Sequence, residues 1–257
     1  MQDILHIKKY TIGEGMPLIC VPIMYAKKDE ILAEAGRLAA MGVPMVEWRV
    51  DTFERPTDFR AIREVLSELA PIVKDTVLVF TFRSKKQGGT LQLPPDTVSE
   101  MQAVAAESGV VDLIDVEYFM QKRMRQQISR LQSMGARILA SHHDFGMTPS
   151  VDVMDMILER MQGSGADIVK LAVMPQRKTD VLMLLEVTES FHQRHPLVPL
   201  VTMSMGSMGC ISRVAGETFG SCITFASGGM ASAPGQLPVE ELHQTLAMLH
   251  KAAVKGA

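Results

Sequence analysis

The chain has 257 residues, 47% of them hydrophobic and 21% charged, which predicts a folded protein with a sizeable core. A formal net charge of −3 and a pI near 6.2 favour neither nucleic acid nor an anionic membrane as a partner. Three cysteines without a C-x-x-C spacing indicate reduced thiols in a cytoplasmic protein, not a disulfide framework or a metal site.

The N-terminal segment mixes charged residues with isolated apolar ones, so we expect no signal peptide. No apolar run in the chain is long enough to predict a membrane span. Residues 4–16 predict a short hairpin, because residues 4–12 alternate in part. We expect its turn at Gly13-Glu14-Gly15.

A strict alternation of strand and helix patterns follows the hairpin. Strands are predicted at residues 18–24, 45–50, 76–82, 111–117, 136–142, 166–175, 198–203 and 221–226. Helices are predicted at residues 29–41, 57–69, 95–107, 122–133, 150–161, 179–192, 208–218 and 239–250. Eight pairs over this length predict an α/β fold, a (β/α)8 barrel in a single domain over residues 1–257. A doubly wound open sheet is the alternative, but no G-x-G-x-x-G follows the first strand.

One lysine lies in the middle of an apolar strand. Ile168, Lys170 and Ala172 share one face of that strand, because strand side chains alternate. A lysine in this position either extends its amine past its neighbours to solvent or is buried with a shifted pKa. A desolvated amine that is partly neutral can attack a carbonyl and form a Schiff base.

Other ionisable residues fall on the same side of neighbouring strands. In a (β/α)8 barrel the chemistry lies where the strands end at their C-terminal face. The residues expected to meet at this mouth of the barrel are Glu47, Arg49, Arg83, Asp115, Glu117, His143 and Lys170. Because uncompensated buried charges are costly, they must neutralise one another or bind a ligand. Two arginines near Lys170 would also lower its pKa, whereas a structural Glu47–Arg49 ion pair is the simpler interpretation of that strand.

Two later segments fit a binding site. Residues 203–213 run from a strand through two glycines into a helix, and they carry Arg213 where a carboxylate could bind; an ordinary surface arginine is the alternative. Residues 228–236 follow the last strand and are small, flexible and polar, which suits a loop that closes over a ligand.

At this point the sequence resembles the type I 3-dehydroquinate dehydratase family, from Gly13-Glu14-Gly15 to Gln236. The motifs that carry the resemblance are Glu47-Trp48-Arg49-Val50-Asp51, Thr81-Phe82-Arg83, His143-Asp144-Phe145, Lys170-Leu171-Ala172-Val173-Met174-Pro175, Ile211-Ser212-Arg213 and Ala231-Ser232-Ala233-Pro234-Gly235-Gln236. The resemblance implies a barrel whose base is closed by the N-terminal hairpin, and a cytoplasmic homodimer. It also implies a lyase of the shikimate pathway that acts on the small molecule 3-dehydroquinate without a metal or an organic cofactor.

The resemblance also implies a role for each matching residue. Lys170 would form an imine with the substrate ketone, and His143 would be the general acid and base. Arg213 would bind the substrate carboxylate. The remaining contacts to the ring hydroxyls and carboxylate would come from Glu47, Arg49, Arg83, Ser232 and Gln236, the last two on the closing loop.

The chain departs from the family pattern at Gln87, where the family usually has a glutamate. Glutamine can form hydrogen bonds but cannot ionise. It would therefore lower the pKa of His143 relative to a homologue with glutamate, and reduce turnover while imine formation survives. The first barrel strand also has Val21-Pro22-Ile23-Met24 where many members have a hydroxyl residue, which puts one substrate hydrogen bond in question.

Two other functions are compatible with parts of the sequence. A class I aldolase-type barrel shares the imine lysine but cleaves a C–C bond, and the motifs around Arg213, Ser232 and Gln236 disfavour it. A catalytically impaired homologue that only binds the ligand is supported by Gln87 alone, since Lys170 and His143 are both present.

Overall fold

The computed structural model describes residues 5–120, 123–229 and 232–255, in which a small antiparallel sheet precedes a barrel. Strands β1 (Leu5–Ile7) and β2 (Tyr10–Ile12) form the small sheet. The barrel strands are β3 (Leu18–Ile23), β4 (Met45–Arg49), β5 (Val77–Thr81), β6 (Leu113–Glu117), β7 (Arg137–Asp144), β8 (Ile168–Val173), β9 (Leu200–Ser204) and β10 (Ile223–Phe225). All eight are parallel and follow chain order, with β10 beside β3. A parallel bridge between Leu200 and Ser221 joins the remaining edges, so the predicted barrel is confirmed.

Helices connect successive strands of the barrel. They are α1 (Lys28–Ala40), α2 (Phe59–Ile72), α3 (Pro95–Glu107), α4 (Met124–Ser133), α5 (Val151–Gln162), α6 (Lys178–Arg194), α7 (Cys210–Val214), α8 (Gly216–Phe219) and α9 (Val239–Lys255). Residue 122, the predicted start of α4, lies outside the described residues. Across the part of the chain that the structure describes, no helix is both long and apolar enough to cross a bilayer. All three cysteines lie in that part, and they are free thiols.

The single helix predicted at residues 208–218 is wrong, because α7 and α8 are separate short helices. Gly216 begins the second helix with its backbone pressed against the carbonyl of Ser221. A Cβ atom at Gly216 would lie only 2.5 Å from that oxygen. The break therefore follows from a close approach between chain segments, which the helical pattern of the sequence does not reveal.

The predicted hairpin is confirmed, but its predicted turn was wrong. Leu5 pairs with Ile12, and Ile7 pairs with Tyr10, so the turn lies at Lys8 and Lys9. Lys8 has φ 53°, and its Nζ donates to the carbonyls of Val73 (2.7 Å) and Thr76 (2.6 Å). These tertiary contacts hold the turn in a conformation that a non-glycine residue rarely adopts.

The hairpin closes the N-terminal end of the barrel, as the sequence resemblance implied. Lys8 Nζ also lies 2.7 Å from the carboxylate of Asp112, the residue before β6. Ile7 and Ile12 belong to the apolar cluster inside the barrel, together with residues such as Met45 and Leu113. The base of the barrel is thus a packed apolar layer, and the contacts of the Lys8 ammonium group hold the hairpin against it.

Side-chain alternation divides the barrel strands into an outer and an inner face. Trp48 packs edge-on against Phe80 on the outer face, under the helices, with ring centroids 5.5 Å apart. The inner face is apolar near the base and becomes charged toward the C-terminal end, where Glu47, Arg83 and Lys170 lie. Because these charges occupy one end of the barrel, that end is where the chemistry must be sought.

Candidate active site

A cavity of about 420 Å³ opens at the C-terminal end of the barrel. Eight of the nine predicted site residues line it: Glu47, Arg49, Arg83, Gln87, His143, Lys170, Ser232 and Gln236. Its apolar walls include Ala172, Met203, Met205, Phe145 and Phe225. The position of Met203 and Met205 answers a question that the sequence left open, since either face of β9 could have looked inward. The ninth residue, Arg213, lies behind this wall against Met203.

Lys170 is in the middle of β8 and is only 3% exposed. Its Nζ lies 4.0 Å from Asp115 Oδ2 and 3.8 Å from the centre of the Phe225 ring. The hydrogen bonds of the described residues include none from this amine. Burial lowers the pKa of Lys170 more than any other cause, with Arg83 adding to the shift while Glu47 and Asp115 oppose it. A larger share of the amine is therefore neutral and nucleophilic than in a lysine exposed to water.

Gln87 holds His143 through a single oxygen. Oε1 of Gln87 accepts a hydrogen bond from the backbone N–H of His143 at 2.8 Å and lies 3.2 Å from its Nδ1. Because the backbone group can only donate, the atom that Gln87 presents is its oxygen. Nδ1 of His143 therefore carries the hydrogen in this contact, and Nε2 has the free lone pair of the neutral ring. Such a ring can act as a base through Nε2.

The pKa of His143 lies well below its ordinary value. Burial is the largest cause, followed by the positive charges of Arg83 and Lys170. Gln87 supplies a hydrogen-bond acceptor but no negative charge that would offset them. His143 is therefore neutral at physiological pH.

The loop that carries Gln87 depends on the glycine that follows it. Residues Lys85–Gln87 form a turn of 3₁₀ helix after β5, and Gly88 continues with φ 87°. A Cβ atom at Gly88 would lie 2.3 Å from the ring of Phe145, which lines the cavity. Glycine at this position lets the loop turn back and present Gln87 to His143.

Arg83 is buried and fully engaged with neighbouring acidic residues. Its Nη2 donates to Asp115 at 2.6 Å, and its Nη1 donates to Glu117 at 3.1 Å and to Ser141 at 3.0 Å. Burial by itself would lower the pKa of Arg83, but the charges of Asp115, Glu117 and Glu47 outweigh it and raise the pKa. Arg83 therefore works first as the centre of a neutralised network that keeps the mouth of the barrel rigid.

Arg49 pairs with Asp51, so the interpretation of Glu47 and Arg49 as an ion pair was wrong. Nε and Nη2 of Arg49 donate to the two carboxylate oxygens of Asp51 at 2.8 and 2.9 Å. Glu47 instead accepts a hydrogen bond from the hydroxyl of Thr81 at 2.8 Å. Asp51 lies in a 3₁₀ turn beyond the end of β4, where the alternation of strand side chains no longer applies.

Arg213 is 1% exposed and, among the described residues, has no carboxylate within ion-pair distance. Nη2 donates to the carbonyl of Pro234 at 3.0 Å, and Nη1 donates to the carbonyl of Phe225 at 3.5 Å. Nε is buried without a hydrogen-bond partner in the described residues. Burial lowers the pKa of Arg213 to about 10. A buried guanidinium without a counter-charge is costly, so this position favours binding of an anion.

The predicted closing loop carries two residues that bind each other. Gln236 Oε1 accepts from the backbone N–H of Ser232, and Gln236 Nε2 donates to the Ser232 hydroxyl, both at 2.8 Å. The backbone N–H of Gly206 donates to Pro234 at 3.0 Å and ties this loop to the segment after β9. Met230 and Ala231, which belong to the same predicted loop, lie outside the described residues.

The sequence interpretation missed two residues of the site. Phe225 lies over the amine of Lys170, and Asp51 fixes Arg49. In the sequence, Phe225 is an ordinary apolar strand residue. Asp51 belongs to a motif of the family, but the sequence did not predict its contact with Arg49. In the described ranges, no group of three or more histidine, cysteine, aspartate or glutamate residues is arranged to hold a metal ion.

The chain is similar over nearly its whole length to known 3-dehydroquinate dehydratases. The profile of the family described as type I 3-dehydroquinase matches residues 19–253. The chain is 41% identical to 3-dehydroquinate dehydratase of Clostridioides difficile over 252 residues, which is 98% of this chain and 99% of that protein. A crystal structure of the Clostridium difficile enzyme with covalently modified comenic acid has a TM-score of 0.92, at 41% identity and with 98% and 99% of the two chains covered. The 3-dehydroquinate dehydratase of Geobacillus kaustophilus also has a TM-score of 0.92, at 32% identity and with 96% of each chain covered.

Proposed function

We propose that this chain, which belongs to the type I 3-dehydroquinase family, dehydrates 3-dehydroquinate to 3-dehydroshikimate through an imine on Lys170. Members of this family are lyases, and the relatives named above are 3-dehydroquinate dehydratases. The observation that carries the proposed mechanism is the amine of Lys170, buried in the cavity wall with a lowered pKa. An amine in this state is suited to attack a ketone.

The first stage joins the substrate to Lys170. The neutral amine adds to the ketone carbon, and the resulting carbinolamine loses water to give a protonated imine. His143, which lines the same cavity, moves the protons that this addition and dehydration require. The product of the first stage is a cationic C=N bond, which withdraws electrons far more strongly than the ketone did.

The second stage removes the hydroxyl group. Nε2 of His143 takes a proton from the carbon next to the imine, and the electrons of that C–H bond form an enamine. The enamine then expels the β-hydroxyl, which leaves as water with the proton that His143 returns. Hydrolysis of the imine releases the product and restores Lys170. One imidazole serves both transfers, so the proton and the hydroxyl leave from the same side.

Gln87 affects the two proton transfers in opposite ways. By fixing Nδ1 of His143 as the donor, it keeps Nε2 free to accept the substrate proton. The low pKa of His143 makes the neutral ring a weak base but makes the imidazolium a strong acid. We therefore expect proton removal from the substrate to be slower, and protonation of the leaving hydroxyl faster, than with a carboxylate at residue 87.

We propose that Arg213 binds the substrate carboxylate. Its buried guanidinium has no anionic partner among the described residues, and a carboxylate would supply one. Ser232 and Gln236 would bind the substrate from the closing loop, after their mutual hydrogen bonds open. Glu47, Arg49 and Arg83 would complete the binding of the ring hydroxyls and the carboxylate from the strands.

We further propose that the enzyme acts in the shikimate pathway in the cytoplasm, as a homodimer. The support is its family membership and, for location, the pattern of cysteines in the sequence. Analytical ultracentrifugation over a range of concentrations tests the dimer. A sedimenting species of monomer mass throughout that range would contradict it.

The test of the mechanism is incubation with 3-dehydroquinate and borohydride, followed by intact mass measurement and peptide mapping. We expect a reduced adduct on Lys170, whose mass reports whether water has been lost. Lys170→Met should give no adduct, while Lys178→Met, at an exposed position that begins α6, should give as much as the original chain. Ligand binding by folded protein without any adduct on Lys170 would refute the imine and favour a protein that only binds the substrate.

A further inference from the structure

The aromatic ring of Phe225 covers the amine of Lys170. Phe225 ends β10, is 5% exposed, and lines the inner face of the barrel, with β9 between its strand and β8. Lys170 Nζ lies 3.8 Å from the centre of the ring, while the nearest carboxylate oxygen, on Asp115, is 4.0 Å away. Since no hydrogen bond fixes the amine within the described residues, the ring is its closest stabilising contact.

An aromatic face and a carboxylate hold an amine in different ways. The negative face of the ring attracts a cation, and the attraction grows when water is excluded. The ring cannot take a proton, and it has little attraction for the lone pair of a neutral amine. It therefore favours cationic nitrogen without offering a competing base.

We propose that Phe225 is a positioning residue for Lys170, and that its ring stabilises the ammonium of the free enzyme and the protonated imine that replaces it. The second half of this statement rests on the proposed function, in which Lys170 forms an imine. The nitrogen stays at the same place on β8 in both states, so one ring can serve both. Phe225 and Lys170 line the same cavity, so the ring lies beside the nitrogen at the place where the substrate would bind.

The acidic groups around Lys170 are shared with other partners, so the ring adds to the stabilisation that Glu47 and Asp115 give the ammonium. The charged and titratable groups that face the amine from the surrounding strands and loops are Glu47, Asp115, Arg83, Cys20 and His143. Asp115 accepts hydrogen bonds from Arg83 and Ser141. Glu47 accepts one from Thr81. Each carboxylate is thus shared, whereas the face of Phe225 has the amine as its cationic contact.

The backbone holds the ring in place. Phe225 pairs with Cys20 in the ladder between β10 and β3. Its carbonyl also accepts the hydrogen bond from Nη1 of Arg213 at 3.5 Å. Phe225 is therefore linked by a hydrogen bond to Arg213, which we propose as the ligand of the substrate carboxylate. Strand β10 thus helps to position both the residue next to the amine and the residue that would bind the carboxylate.

The effect of the ring on the two chemical stages has opposite signs. By favouring the ammonium it opposes burial, and so it raises the pKa of Lys170 and slightly reduces the neutral fraction. By favouring the protonated imine it increases the population of the intermediate that loses a proton. Weakening the attraction should therefore lower the pKa of Lys170 and also lower kcat.

The experiment replaces Phe225 with phenylalanine analogues that carry one, two and three ring fluorines. Fluorine draws electron density from the face of the ring while the shape is almost unchanged. The rate at which ¹³C-formaldehyde and cyanoborohydride methylate Lys170, read by peptide mass spectrometry at each pH, reports the neutral fraction without substrate. We expect the midpoint of this profile to fall stepwise, by about one pH unit over the series. We expect kcat for 3-dehydroquinate to fall by about tenfold over the same series.

The matched control is the same series at Phe80, which lies on the outer face of β5 against Trp48. Neither the midpoint nor kcat should change there. If fluorination at Phe225 leaves the methylation midpoint of Lys170 unchanged, the proposal is overturned. A shifted midpoint in a chain that yields no borohydride adduct would support the ammonium contact, while refuting the imine and with it the second half of the proposal.

Discussion

Two lysines, one at each end of the barrel, have opposite surroundings. At the base, Lys8 Nζ lies within 2.7 Å of the Val73 and Thr76 carbonyls and the Asp112 carboxylate. At the mouth, Lys170 forms no hydrogen bond within the described residues, and its Nζ lies 3.8 Å from the centre of the Phe225 ring. The ammonium of Lys8 stabilises the fold because two carbonyls and a carboxylate bind it. The amine of Lys170 is available for chemistry because it forms no hydrogen bond with the described residues and burial lowers its pKa.

Two of the buried arginines of the mouth, Arg83 and Arg213, repeat this difference at closer range. Arg83 is surrounded by acidic groups, which raise its pKa. Arg213 has burial without a counter-charge, and its pKa falls to about 10. Identical side chains thus divide into one that holds the site together and one that favours an incoming anion. The contacts of each cation, more than its residue type, indicate its role.

Lys170→Met is the variant for which we expect the largest effect. We expect kcat to fall by about 10⁴-fold or more, because no other amine can form the imine. The free energy of unfolding should stay the same or rise, because the change removes a buried charge that forms no hydrogen bond with the described residues. Steady-state kinetics and urea unfolding measure the two effects. A marked loss of stability would show that Lys170 is as structural as Lys8.

Arg213→Gln should weaken substrate binding more than it weakens the fold. We expect KM for 3-dehydroquinate to rise by about 100-fold, as when a charge-assisted contact to a carboxylate is lost. The unfolding midpoint in urea should change little, because a buried and uncompensated charge is removed.

Arg83→Gln is the matched comparison for Arg213→Gln. It should lower the free energy of unfolding by about 3 kcal/mol, because it leaves two buried carboxylates without their partner. Equal losses of stability in the two variants would contradict the division between these arginines.

Lys8→Met tests the base of the barrel. We expect the free energy of unfolding to fall by about 2 kcal/mol, since two carbonyls and one carboxylate lose a charged donor. The ratio kcat/KM should remain within about twofold of the original value, because the change lies at the end opposite to the cavity. Urea unfolding and steady-state kinetics on the same preparation decide the matter. A large loss of activity in folded protein would mean that the two ends are coupled.

Gln87→Glu should give the smallest change and a diagnostic one. A carboxylate beside Nδ1 stabilises the imidazolium, so the pKa of His143 should rise from its depressed value. The reaction needs neutral His143 as the base, so the acid limb of the kcat profile should move to higher pH. Near neutral pH we expect kcat to increase by about tenfold, because the imidazole becomes a stronger base.

NMR titration of His143 checks this shift directly. Gln87→Met removes the acceptor without adding charge, and it should lower kcat instead. An unchanged His143 titration in the Gln87→Glu variant would refute the electrostatic role assigned to residue 87.

Strand alternation accounts for most of what the sequence revealed. It assigned Glu47, Arg83, Lys170 and His143 to the inner face, because a period of two gives every side chain a face. The alternation of whole strands and helices predicted the barrel, and the barrel predicted that these residues meet at its C-terminal end. The prediction of one domain over residues 1–257 stays a prediction.

Contacts between distant segments explain what the sequence did not reveal. The turn at Lys8 depends on carbonyls more than sixty residues away, as the separations of 65 and 68 residues show. The position of Phe225 over Lys170 joins strands that are not adjacent in the sheet. No local pattern encodes either contact. The pairing of Arg49 with Asp51 is local, but it forms in the 3₁₀ turn beyond β4, where the alternation of strand side chains no longer applies.

The closure of the barrel by β10 has a consequence for synthesis on the ribosome. The last strand to emerge pairs with the first barrel strand, Ile223 with Leu18, and it delivers Phe225 to Lys170. Burial is the largest cause of the lowered pKa of Lys170, and the closing of the barrel completes that burial. On a nascent chain we therefore expect the amine to stay mostly protonated, which slows its condensation with the sugars and aldehydes of the cell.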